Sequence, residues 1–397
     1  MSGNKLPRSI CLFGTFYPEF HFAGNSTTGL AFLFQKIAPR MTLHIIAPIT
    51  SELPPGLSPE TATLHRVWGS DSPLGLIRAL GRMTALSRSV DGYLFNIYVT
   101  AFGRTRLANA LGLMLPSIIR VITGRPAVVY MHNFLETQDV RSLGYRPTRM
   151  ERLGVRLLEK LLTRTTTVLV PLPSQQRILL DVLGARTSVA PIPFVEVAPW
   201  LEGNERSGRN GPPDPDRAGL RVLLIGSWGP QKDLEGILGL LRGEVERGRR
   251  ISAVIAGEPN IHFPEYGRRM ADLLRSTDPQ TFRILGRVSD LELARLMTDN
   301  DILVLPYNAA GGYSGALNFA AAFPISIIAY DVPQLREQAD QLGLIPIFVR
   351  ARDPEAFREA LDQIQSRIRS GAIPTVSMTS TLETARSSAC KMLGYLH

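Results

Sequence analysis

Short apolar runs alternate with longer amphipathic stretches along this chain, and after one polar linker the alternation begins again. No other feature constrains the fold as much. SICLFGTF (9–16), LHIIAPI (43–49), GYLFNIYV (92–99), AVVYMHNF (127–134), TTVLVPLP (166–173) and SVAPIPF (188–194) read as strands. GLAFLFQKIA (29–38), LIRALGRMTALSR (76–88), RMERLGVRLLEKLLTR (149–164) and SQQRILLDVLG (174–184) read as helices between them. Strands alternating with helices imply a parallel sheet with helical crossovers.

The stretch 201–219 is rich in Gly, Pro, Asp and Arg and poor in apolar residues, so it reads as a linker. Beyond it come strands at 221–228, 251–259, 281–288, 301–307, 325–331 and 345–350. Helices are expected at 234–248, 291–299, 316–323 and 354–371, and the tail 379–397 also reads as helical. The 397 residues are enough for two domains at roughly 100–200 residues each. The expected organisation is a first α/β domain over 1–200, the linker 201–219, a second α/β domain over 220–371, and a last helix in 372–397 that crosses back to the first domain.

Charge is divided unevenly. Residues 1–197 carry 21 Lys and Arg against 11 Asp and Glu, whereas the rest carry 23 against 24. The basic half suits an anionic membrane surface, an acidic acceptor or nucleic acid. Nucleic acid fits least, because aromatic residues are not interleaved with the basic ones. Neither Cys11 nor Cys390 belongs to a Cys/His cluster, so no zinc site is expected, and a reducing compartment fits. No signal peptide and no apolar run of membrane-spanning length is read, and the expectation is a cytoplasmic protein.

In doubly wound sheets, ligands meet the loops at the carboxyl ends of strands. Four such loops in the second half stand out. IGSWGPQKD carries Gly226 and Ser227 with Lys232 following. AGEPN carries Gly257 and Glu258. LGRVSD carries Gly286, Arg287 and Val288, with Ser289 or Asp290 capping a helix. LPYNAAGGYSGALNFAAAF carries Tyr313, Ser314, Gly315, Ala316 and Leu317 at the start of a small-residue helix. Glycines let a backbone approach a phosphate, and helix N-termini supply N–H donors.

The order and spacing of these loops resemble the nucleotide-sugar-binding half of two-Rossmann-domain (GT-B) glycosyltransferases, specifically retaining family 4. ILGRVSDLELARLMTDNDILVLPY and SGALNFAAAFPISIIAYDVPQLRE carry most of the resemblance. It covers most of the chain and is closest over 221–337. It implies two Rossmann-like domains face to face, with parallel sheets flanked by helices. It implies transfer of a sugar from a nucleoside diphosphate sugar to a glycan or lipid-linked acceptor, with retention, no metal and no other cofactor.

By position, the resemblance puts Gly226 and Lys232 on the donor diphosphate and the backbone of Arg287 and Val288 at the nucleotide base. Ser314, Gly315, Ala316 and Leu317 fall over the sugar and phosphates, and His132 near the donor sugar. Gly24, Asn25 and Ser26 form a turn facing the donor. Glu337 is a further candidate for the donor, and Asn133 and Glu136 for the acceptor. The chain departs from the pattern at Ser227, where the family has arginine, and at Pro324 and Ser326. It also departs at Gly311 and Phe319, where the paired glutamates would fall. A catalytically inactive protein that binds nucleotide sugar or a partner enzyme is therefore the alternative. A nucleotide-sugar epimerase of the same fold lacks a recognisable acid–base set here.

Arg149, Arg152, Arg156 and Lys160 recur at helical spacing. The pattern puts them on one face, opposite Leu153, Leu157, Leu158 and Leu161. Two readings follow: a core helix with a solvated basic face, or a basic face docked on anionic lipid headgroups, joined by Arg78, Arg82, Arg104 and Arg106.

Overall fold

The fold is that of a computed structural model, which describes residues 6–17, 22–99, 101–103, 105–137, 147–191, 219–260, 263–309, 312–371 and 378–396. Most of the linker, 201–218, and Gly311 lie outside the described residues. The described residues fall into two units. The first holds those of 6–137, 147–191 and 382–396, and the second those of 219–371 and 378–381.

The first unit is built on β1 (Ser9–Gly14), β2 (Thr42–Pro48), β3 (Ala62–Trp68), β4 (Gly92–Ile97), β5 (Ala127–Met131), β6 (Thr167–Val170) and β7 (Ser188–Val189). They form one parallel sheet in the order β3-β2-β1-β4-β5-β6-β7. β4 and β5 are buried at every position, as expected of central strands covered on both faces.

The sequence does not lead one to expect a strand and a long helix of this unit, nor the second unit's helices Pro264–Arg275 and Pro333–Leu342. β3 lies at the sheet edge, buries only Ala62, His65 and Trp68, and so lacks an apolar run. The helix Arg106–Thr123 carries Gly112 and Pro116 in its interior. By length and composition it could cross a membrane, contrary to the sequence reading. Its Gly112, Leu113, Leu115 and Ile119 nonetheless pack into the core of the first unit. Gly112 permits that packing, because a Cβ there would lie 2.1 Å from the Phe102 ring.

The last helix, Met378–Gly394, ends on this unit. Leu396 is fully buried, and a Cβ on Gly92 would lie 2.9 Å from its side chain. Lys391 Nζ donates to the Val189 carbonyl at 2.7 Å, and the Tyr395 and Ser188 hydroxyls lie 2.8 Å apart.

The second unit contains β8 (Leu220–Ile225), β9 (Ile251–Ala256), β10 (Phe282–Leu285), β11 (Ile302–Leu305), β12 (Ser326–Tyr330) and β13 (Ile347–Val349). Their order is β10-β9-β8-β11-β12-β13, all parallel. This is the Rossmann order, with its switch point between β8 and β11. Helices Pro264–Arg275 and Pro333–Leu342 complete the crossovers. Both open on proline, which suits a first helical position.

Candidate functional site

The loop after β8 is held rigidly from several sides. Trp228 is fully buried; its Nε1 donates to the Ala256 carbonyl at 3.2 Å, and its backbone N–H donates to the Glu258 carbonyl at 2.8 Å. The Asp233 N–H donates to the Pro306 carbonyl at 2.7 Å, and the Asn308 N–H to the Gln231 carbonyl at 2.9 Å. The Tyr266 hydroxyl donates to the Lys232 carbonyl at 2.8 Å. These bonds tie the loop to the ends of both β9 and β11.

The Lys232 side chain turns back over the end of β8. Its ammonium lies so close to Gly226 that a Cβ there would meet Nζ at 2.0 Å. The same ammonium sits 4.8 Å from the Tyr307 ring centroid and 5.8 Å from that of Trp228. Ring faces attract a cation. Lys232 is half-buried, and no carboxylate among the described residues pairs with it.

The next residue carries the opposite charge in a closed arrangement. Asp233 is 5% exposed and caps the helix Leu234–Glu246 through the Gly236 N–H at 3.1 Å. Arg352 grips its carboxylate with Nε and Nη2, each at 2.7 Å. The Tyr330 hydroxyl approaches at 3.5 Å. Burial pushes the carboxyl up, but Arg352, Gly236 and Tyr330 outweigh it and hold Asp233 below the ordinary value. Arg352 and Trp228 were not singled out from the sequence; one is 119 residues from its partner, and the other is a core residue inside a turn.

Three of the glycine turns line up along the crest of the sheet. The Gly257 N–H donates to the Gly286 carbonyl at 2.9 Å, and a Cβ on Gly257 would lie 1.9 Å from the Gly226 carbonyl oxygen. Gly257 also has φ +111°, a conformation L side chains resist. Arg287 follows Gly286 and is exposed; Val288 is half-buried. Ser289, not Asp290, caps the next helix and forms a capping box with Glu292.

Ser314 caps the helix Gly315–Ala320 through the Leu317 N–H at 3.3 Å, and its hydroxyl donates to Tyr307 Oη at 3.3 Å. Gln338, fully buried, accepts from the Ser314 N–H at 2.7 Å and donates to the Ser314 carbonyl at 2.8 Å. This clamp also escaped the sequence reading, which named its half-buried neighbour Glu337. The structure therefore brings Gly226, Lys232, Gly257 and Ser314 together through Tyr307 and the glycine crest. Tyr313 Oη and Asn318 Oδ1 are buried without a hydrogen-bond partner among the described residues. Burial pushes the Tyr313 phenol up. Phe319 stacks on Phe323 with centroids 5.2 Å apart.

In the first unit, His132 follows β5 and is buried. Its Nε2–H donates to Asn96 Oδ1 at 2.7 Å, and Asn96 Nδ2 donates to Thr27 Oγ1 at 2.6 Å. Gln175 Nε2 holds the His132 carbonyl at 3.2 Å, and Asn133 Oδ1 accepts the Val99 N–H at 3.0 Å. Asn133 thus braces a neighbouring loop. Glu136 lies 3.9 Å from Arg156. Gly24, Asn25 and Ser26 lie in the first turn of the helix Phe22–Ile37, not in a turn before it; their side chains lie outside the described residues.

Burial lowers His132 to about 4, so it is a neutral hydrogen-bonding group at pH 7. His65 is also lowered to about 4, by burial first, then by Arg82 and His44. Arg82 Nε donates to its Nδ1 at 3.2 Å. In the unfolded chain both rings take up protons near pH 6.5. The unfolded state therefore binds more protons between pH 6.5 and 4. The stability these rings contribute is complete above 6.5 and is lost as pH falls towards 4. Thermal melts at pH 7 and pH 5 should show a loss of several degrees, and His65→Gln should flatten it. An equal slope in the variant would exclude His65 as a source.

No family model and no curated protein matches the sequence. Solved structures do match the fold. Anabaena Alr3699/HepE in complex with UDP-glucose aligns with TM-score 0.60 and 13% identity over 97% of this chain and 94% of its own. The catalytic domain of Arabidopsis thaliana starch synthase IV, bound to ADP and acarbose, aligns with TM-score 0.64 and 13% identity over 98% and 100%. WaaG, a glycosyltransferase involved in lipopolysaccharide biosynthesis, aligns with TM-score 0.56 and 13% identity over 96% and 95%. The chain has the GT-B fold. Among the described residues, no group of three His, Cys, Asp or Glu is placed to hold a metal ion.

Proposed function

We propose that the chain transfers a sugar from a nucleoside diphosphate sugar to an acceptor hydroxyl of a glycan or lipid-linked acceptor, with retention and without a metal. The observation that carries this reading is the Lys232 ammonium. It is half-buried, unpaired with any carboxylate among the described residues, and poised over Gly226 at the switch point of a Rossmann sheet. A diphosphate leaving group gains charge as the glycosidic bond breaks, and a preorganised cation stabilises it. The glycine crest lets the phosphates approach the backbone, and Arg287 and Val288 border the base. Ser314, Gly315, Ala316 and Leu317 border the sugar and phosphates. Tyr313 Oη and Asn318 Oδ1 are buried polar atoms that donor hydroxyls would satisfy, each such bond offsetting about 1–3 kcal/mol. In the first unit, neutral His132, fixed by Asn96, is a candidate hydrogen-bonding group.

Phe319 favours the second reading, a protein that binds nucleotide sugar without turning it over. An aromatic residue stacked on Phe323 stands where the family resemblance puts an acid. Slow hydrolysis of the bound donor without acceptor separates the two: its presence supports transfer, and its complete absence at saturating donor supports binding alone.

Calorimetric titration with UDP, GDP, ADP and TDP tests the site. One nucleotide should bind, and Lys232→Ala should weaken it about 10–150-fold, the worth of a charged hydrogen bond of about 1.5–3 kcal/mol. If none binds the wild-type protein, or the variant binds as tightly, Lys232 is not the diphosphate ligand.

A further inference from the structure

The helix Arg149–Thr165 does not turn its leucines to the core. Its buried residues are Glu159 and Leu162, and Leu158 is partly buried. Met150, Leu153, Leu157 and Leu161 are 77%, 53%, 59% and 40% exposed. Their spacing of three, four and four lines them up on one outward stripe. Arg149, Arg152, Arg156 and Lys160 each precede a stripe residue by one position and are all exposed. The basic row therefore runs along one flank of the stripe, and both point away from the sheet.

The surroundings extend this face. The helix Arg106–Thr123 packs alongside. Arg106 pairs with Glu151 at 2.6 Å, and the next residue, Leu107, is 60% exposed. Arg156 also donates to the Val182 carbonyl at 3.0 Å while half its side chain stays exposed. No carboxylate among the described residues pairs with Arg149, Arg152 or Lys160.

We propose that this face seats the first unit in the surface of an anionic bilayer, with Met150, Leu153, Leu157 and Leu161 among the acyl chains and the basic row on lipid phosphates. A helix with one apolar stripe and a cationic flank lies in the interface plane. Long basic side chains reach the headgroups while their stems stay with the apolar surface. The cations run the full length of the stripe, and the adjacent acid, Glu151, is already paired. This matches a continuous sheet of phosphates better than a discrete acidic site. The proposal does not rest on the transferase reading.

Vesicle co-sedimentation of the full chain tests it, using phosphatidylcholine alone and phosphatidylcholine with phosphatidylserine. Wild type should bind the anionic vesicles only. Arg149→Gln, Arg152→Gln and Lys160→Gln together should weaken binding by about fivefold per residue at low salt. Leu153→Gln, Leu157→Gln and Leu161→Gln together should weaken it at least as much while leaving the melting temperature unchanged, because these side chains are not in the core. Three results would overturn the proposal: no binding by wild type, unaltered binding by the leucine variant, or wild-type self-association that the leucine variant abolishes.

Discussion

Gly257→Ala should destabilise the second unit by about 3–4 kcal/mol, more than any other single methyl placed on its crest. Two costs combine. The residue has φ +111°, where a Cβ is strained. The added carbon would also lie 1.9 Å from the Gly226 carbonyl oxygen. That oxygen belongs to backbone whose N–H is tied to the Ala256 carbonyl at 3.2 Å, so it has little room to move. For a unit of this size the melting temperature should fall by roughly 10 °C. Gly286→Ala is the control. A Cβ there meets nothing within 4 Å, and the substitution should be close to neutral. If Gly257→Ala melts like wild type, the close packing of the three turns is wrong.

Arg352→Ala should be the next most damaging change, and more damaging than removing its partner's charge. Asp233 is buried to 5%, whereas the Arg352 side chain is 64% exposed. Loss of the guanidinium leaves a carboxylate with little access to water and only the Gly236 N–H and the Tyr330 hydroxyl to support it. Loss of one partner of a fully buried pair costs about 3–5 kcal/mol; the exposure of Arg352 brings the expectation here to about 1–3 kcal/mol. Asp233→Asn leaves an exposed arginine that water solvates, and the Asn side chain still caps the helix. The double variant should therefore be more stable than Arg352→Ala alone. Denaturant midpoints for the three variants measure this, and a double variant less stable than Arg352→Ala would refute the argument. The backbone of Arg352 has φ +58°.

Much of the architecture was legible in the residues. Central parallel strands are buried on both faces, so SICLFG, GYLFNI and AVVYM appear as largely apolar runs. β3 was not legible, because an edge strand needs only one covered face and reads ATLHRVW. The glycine loops of the second unit were legible because backbone that approaches another backbone closely excludes side chains, and sequence records that directly. The residues that hold those loops were not. Gln338 reaches Ser314 across 24 positions and Arg352 reaches Asp233 across 119. A glutamine or arginine on a helix or in a turn carries no local sign of a distant partner.

The helix Arg149–Thr165 shows the division most clearly. Its sequence determined that it is a helix, that it is amphipathic, and that leucines and basic residues occupy separate rows, because these follow from periodicity along one chain. Which row faces inward was decided only by the tertiary structure. A helix has several faces, and the one that packs on a sheet is chosen by the shape and neighbours it meets there. Here Glu159 and Leu162 were taken inside, and three leucines were left outside.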